Sequence, residues 1–205
     1  MSQNHQHNTD GNDKEVLRKK GLKLAWFIVG WDVVEGVVAV TAGIIAGSIA
    51  LIGFGIDSAI EVFAALVVIW HLRHTSDTRY KTALKLIAAS FFVLAAYVGY
   101  KSISDLVGQH QPDVSIVGIV LSIVATAVMV PVAIMQKRTG QALGNKVLIA
   151  QSNETWLSNY LSISLLVGLS LNALFGLWWA DPVIALLIAA VAAKEGWEAW
   201  EEANE

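Results

Sequence analysis

The sequence predicts an all-α polytopic membrane protein with six transmembrane helices and both termini in the cytoplasm. Three observations carry that prediction. Hydrophobic residues make up 55% of the 205-residue chain and charged residues only 15%, well below the quarter or so usual in soluble domains. Apolar stretches recur at lengths near the roughly 20 residues that cross a bilayer as a helix. Basic residues then segregate across those stretches: thirteen of the 14 fall on one side and only Lys101 on the other. By the positive-inside rule, the basic side is cytoplasmic.

Composition also excludes classes. A net charge of −3 offers no basic field for nucleic acid, so no nucleic-acid partner is expected. With no cysteine there is no disulfide framework, thiolate metal site or thiol nucleophile. A mean hydropathy of +0.56 leaves a chain whose partner is the lipid bilayer.

Taken in order, residues 1–22 form a polar cytoplasmic tail, predicted to be disordered, ahead of a transmembrane domain over residues 23–200. Because this tail precedes the first apolar stretch, that stretch does not read as a signal peptide. The first two spans, Leu24 to Ile45 and Ile49 to Trp70, are joined by the small-residue turn Ala46-Gly47-Ser48. The next two, Leu84 to Leu106 and Val114 to Met135, are separated by a polar loop containing Pro112 and Asp113. Val147 to Leu177 is long for one perpendicular span, so its polar first turn should project past the lipid. Asp181-Pro182 opens the last span, with proline at a position that suits a first helical turn. Trp178, Trp179, Trp197 and Trp200 fall where aromatic belts anchor a helix end. Residues 201–205 make an acidic end, and Glu195, Glu198, Glu201, Glu202 and Glu205 read as a solvated helix face.

Ionisable residues at mid-depth are costly in lipid and point to function. Asp32 and Glu35 lie in the first span, Asp57 and Glu61 in the second, and Glu154 in the fifth. Asp57 and Glu61 are four residues apart and therefore stack on one helix face; Glu154 and Ser158 repeat that spacing. Two carboxylates so close stay ionised in a poor solvent only beside a cation, and otherwise take up protons. No Lys, Arg or His lies at mid-depth to neutralise them. The pattern points to exchange of a divalent metal ion for protons, and competes with a non-transporting scaffold whose buried carboxylates hold helices together. No motif suits an intramembrane enzyme. His5 and His7 in the tail, with His71 and His74 at the inner end of the second span, are further places where metal could be collected.

The run Gly47-Ser48-Ile49-Ala50-Leu51 followed by Gly55-Ile56-Asp57-Ser58-Ala59-Ile60-Glu61 resembles the second-helix signature of the cation diffusion facilitators. Glu154-Thr155-Trp156-Leu157-Ser158 falls where that family carries a second ligand pair, and Gly176 to Pro182 is similar to its Gly-x-x-Trp-x-Asp-Pro junction. The resemblance implies a six-helix, generally homodimeric transporter that exports divalent metal against protons. Its ligands would be Asp57, Glu61, Glu154 and Ser158. It also implies departures. Glu and Ser stand where the family usually has His or Asp and then Asp, Glu35 could supply the missing carboxylate, and Asn159 is the next candidate, rotated about 100° from Ser158. The family's cytoplasmic metal-binding domain is missing from the sequence, as in a short divergent branch. Oxygen ligands favour Mn²⁺ or Fe²⁺, whereas the family favours Zn²⁺, which carboxylates also bind; Zn²⁺ is the expected cargo.

Overall fold

A computed structural model describes residues 3–73 and 77–204 of the chain. They form six helices in the order α1 (Gln3–Ala46), α2 (Ile49–Arg73), α3 (Asp77–Gly108), α4 (Ile116–Leu143), α5 (Lys146–Phe175) and α6 (Ala180–Asn204). Each contains one expected span, in the expected order. Four carry stretches long and apolar enough to cross a membrane by themselves: Lys14–Ala46, Ile49–Trp70, Ile116–Leu143 and Gln151–Phe175. In α3 and α6 the uncharged run is shorter, between Lys85 and Lys101 and between Asp181 and Lys194. Their terminal charges therefore sit close to the apolar layer.

The N-terminal tail differs from expectation. Helix α1 continues back through it to Gln3 instead of beginning near Leu24. Once a helix is nucleated each added residue costs little, and Glu15 pairs with Arg18 at 3.1 Å and Lys19 at 3.5 Å one turn away. Helix α4 likewise runs past Met135 to Leu143. It stops at Gly144, whose φ of 62° suits glycine and whose N–H donates to Gln141 O at 3.1 Å. Asn145 then caps α5 by accepting from Leu148 N at 2.9 Å. Two residues thus reverse the chain and set α4 antiparallel to α5.

Three helix pairs, α1 with α2, α4 with α5 and α3 with α6, make up the bundle, and α2 touches α1, α3, α5 and α6. In lipid, helices associate through close packing and polar contacts because burial against lipid tails gives no hydrophobic gain. Gly55 illustrates the close packing: a Cβ there would stand 2.8 Å from Val40 N and 2.9 Å from Gly36 O. Polar contacts close the outer end. The Ser48 hydroxyl donates to the Asp181 carboxylate, which also accepts from Ala50 N at 3.3 Å. Asp113 N donates to Ala46 O at 2.7 Å, and Asn172 Nδ2 to Pro112 O at 3.0 Å. Leu51, Phe54, Leu94, Leu165 and Ile188 fill the core around α2, while Val37, Ile45, Val93 and Leu174 face outward, where lipid would meet them. Trp179, Trp197 and Trp200 are exposed near helix ends, as interfacial anchors are.

Candidate functional site

Asp57 and Glu61 project from α2 into one small cavity that also takes Glu154 and Ser158 from α5. The cavity measures about 20 Å³, the space of a single ion or water. Its remaining walls are apolar, from Ile60, Phe91, Leu161 and Val191 among others, apart from one further carboxylate, Glu195 of α6. Among the described residues no Lys, Arg or His lines it. The i, i+4 spacing on each helix is what sends both members of a pair to the same face. The two pairs meet where the Ser158 hydroxyl donates to Glu61 Oε2 at 3.0 Å.

Asp57 is 6% exposed, yet its carboxylate makes no hydrogen bond among the described residues. Glu61 and Glu154 are half-buried. The acidic side chains are near enough for their charges to repel: Asp57 with Glu35 and Glu195, Glu61 with Asp57 and Asp32, Glu154 with Asp57 and Glu195. Even so, no three acidic or histidine side chains among the described residues converge as tightly as a closed metal shell requires. The cavity is lined with oxygen donors that would have to draw together around an ion.

The other expected residues lie elsewhere. Glu35 does not line the cavity. Trp31 Nε1 donates to it at 2.5 Å and Ser58 Oγ at 3.2 Å, so it joins α1 to α2. Asn159 is buried, donates from Nδ2 to Thr155 O at 2.8 Å, and also stands outside the cavity. Asp32, 1% exposed, has no hydrogen-bond partner for either oxygen and borders a groove between α1 and α2 with Gly36, Thr41 and Gly55. His5, His7, His71 and His74 lie outside the residues whose side chains are described.

Two features escaped the sequence reading. Glu195 looked like part of a solvated acidic end, but a cavity wall is where it stands; only the approach of α6 to α2 and α5 reveals that. Asp181 and Ser48 belong to separate motifs whose direct contact at the outer end has no signal in spacing.

Residues 26–203 match the cation efflux transmembrane domain. The chain belongs to the cation efflux family. Its resemblance to the cation diffusion facilitators is therefore borne out across nearly the whole helical bundle. It is 28% identical over 155 residues to an uncharacterized transporter of Synechocystis, an alignment covering 69% of this chain and 49% of that protein. It is 25% identical over 211 residues to a cadmium, cobalt and zinc/H(+)-K(+) antiporter of Bacillus velezensis, covering 96% and 63%. To the cation-efflux pump FieF of Shewanella oneidensis it is 29% identical over 112 residues, covering 55% and 36%. This cation efflux chain thus spans between about a third and two thirds of the length of these relatives. Membership makes it a multi-pass membrane protein of a metal cation transporter family, with the carboxylate cavity at the junction of its second, fifth and sixth helices.

Proposed function

We propose that the protein exports a divalent metal cation from the cytoplasm in exchange for protons, with Zn²⁺ the favoured cargo and Mn²⁺ and Fe²⁺ further candidates. The observation that carries this reading is the cavity itself. Asp57, Glu61, Glu154 and Ser158 supply oxygens to a space fit for one ion, with no basic side chain among them. A divalent cation offsets the repulsion between the carboxylates; when it departs, protons take its place, since isolated charges in a poor solvent neutralise. Metal binding and protonation then compete for the same oxygens, which is the requirement for exchange. Zn²⁺ accepts four oxygen ligands in a tetrahedral arrangement, and the zinc in the name of the Bacillus velezensis relative supports it. The absence of nitrogen or sulfur donors keeps Mn²⁺ and Fe²⁺ in contention. A homodimer is part of the same proposal, on the strength of family likeness.

The reading assigns Glu35 to joining helices and leaves it outside the ligand set. Uptake of Zn²⁺ by inverted membrane vesicles, whose outer face is the cytoplasmic one, tests the proposal. Vesicles with the wild-type protein should accumulate Zn²⁺, and those with folded Asp57→Ala should match protein-free controls. Wild-type uptake no greater than that of protein-free controls would favour a scaffold whose carboxylates serve only to hold the bundle, and normal uptake by Asp57→Ala would remove the cavity as the transport site.

A further inference from the structure

We infer that Glu195 is a metal-binding residue of the cytoplasmic approach, receiving the cation in an outer vestibule and handing it to Asp57, Glu61 and Glu154. The inference rests on the transport reading above and adds a step and a residue to it.

A second, larger cavity of about 360 Å³ opens between α5 and α6 beside the small one. Among the described residues its charged and amide lining comes from Asn153, Glu154, Glu195, Glu198 and Glu202 with Lys194 the one basic residue. It lies at the start of α5 and the end of α6, the basic and therefore cytoplasmic side. Glu154 and Glu195 are the two carboxylates that line both cavities, so they stand at the boundary between a wide space and a narrow one. On the inner side waits Asp57, nine-tenths buried and without a hydrogen-bond partner, close enough to Glu195 for their charges to interact. A carboxylate placed so is unsatisfied until a cation or proton arrives.

The local charge balance supports the same direction. Lys194 engages Glu198 at 2.7 Å and reaches Glu195 only at 3.7 Å. It offsets Glu198 more than Glu195, and the latter, with 17% of its side chain exposed, turns toward the cavities. Among the described lining residues, Glu154 and Glu195 outnumber what Lys194 leaves to offset them, and such an acidic lining raises the local concentration of cations. The uncharged run of α6 is too short to carry Glu195 clear of the apolar layer, so this carboxylate sits deeper than a solvated helix end would.

The test compares Zn²⁺ uptake by inverted vesicles carrying wild type, Glu195→Gln, Glu195→Asp, Glu198→Gln and Asp57→Ala, each checked for folding by thermal melting in detergent. Glu195→Gln should raise the KM for Zn²⁺ by about tenfold, the scale on which supporting groups tune metal sites, with maximal uptake far less affected. Glu195→Asp should recover much of the loss, and Glu198→Gln should shift KM by less than about threefold, as exposed pairs contribute little. An unchanged KM in Glu195→Gln beside an inactive Asp57→Ala overturns the inference and leaves the transport reading standing. Normal uptake in Asp57→Ala overturns both.

Discussion

Two glutamates at mid-depth make opposite predictions because their surroundings differ. Glu35 accepts hydrogen bonds from Trp31 and Ser58, and a glutamine carbonyl oxygen can accept from either. Glu35→Gln should therefore keep Zn²⁺ uptake within about twofold of wild type, since no cargo ligand is lost and the net worth of one hydrogen bond is roughly 1 kcal/mol. Glu154 faces the cavity with no such partners, so Glu154→Gln should lower uptake by tenfold or more, on the order of the loss seen when metal sites lose a charged group. Equal effects from the two substitutions would mean that the cavity does not separate ligands from structural acids. Ser158 offers a subtler case. It donates to Glu61, and aspartate at the same place would oppose that carboxylate until a metal ion joined them. Ser158→Asp should consequently release more protons per Zn²⁺ bound, counted by calorimetry in buffers of different ionisation enthalpy. An unchanged count would place residue 158 outside the metal's reach. The spacing of these side chains made the pairs legible in the sequence. Glu35 was not separable from them, because what distinguishes it is the indole and hydroxyl donating to it.

At the scale of elements, the outer ends of α1, α2 and α6 are held by the Ser48–Asp181 contact and by Ala50 N on the same carboxylate. Removing one partner of a buried charged hydrogen bond leaves the others unsatisfied, so Asp181→Ala should cost about 1–3 kcal/mol of stability. A lowered melting temperature in detergent, with residual Zn²⁺ uptake at low temperature, is the expected signature; full loss of uptake in a protein that melts normally would give Asp181 a transport role instead. Gly55→Ala tests the seam between α1 and α2. In an exposed helix alanine would be the better residue by roughly 1 kcal/mol, but here its Cβ would press on Val40 N and Gly36 O. The overpacking should reverse the sign and destabilise by about 1–3 kcal/mol. Apolar length, the Ala46-Gly47-Ser48 turn, the polar loop with Pro112 and Asp113 and the Asp181-Pro182 start placed all six helices in the sequence. Helix extensions beyond the lipid were hidden because a polar helix and a polar coil have similar composition. The depth of Glu195 was hidden because it depends on which neighbours α6 approaches.

Over the whole molecule, four carboxylates in a cavity with no basic side chain among its described lining residues tie metal occupancy to protonation. Protons compete with the metal for the same oxygens, so apparent affinity for Zn²⁺ should rise with pH and fall as the solution is acidified. In the proposed mechanism the basic face of the protein, the vestibule between α5 and α6 and the small carboxylate cavity lie in sequence along one route from the cytoplasm inward. Exchange is the property that joins these parts, and it is directly measurable. Zn²⁺ is added outside inverted vesicles loaded with a pH-sensitive dye and holding an acidic interior, and luminal pH is followed as the metal enters. The account predicts that wild-type vesicles take up Zn²⁺ and that their interior becomes more alkaline in step with uptake, while Asp57→Ala vesicles do neither. Zn²⁺ entry into wild-type vesicles with no change in luminal pH beyond that of protein-free vesicles would contradict it.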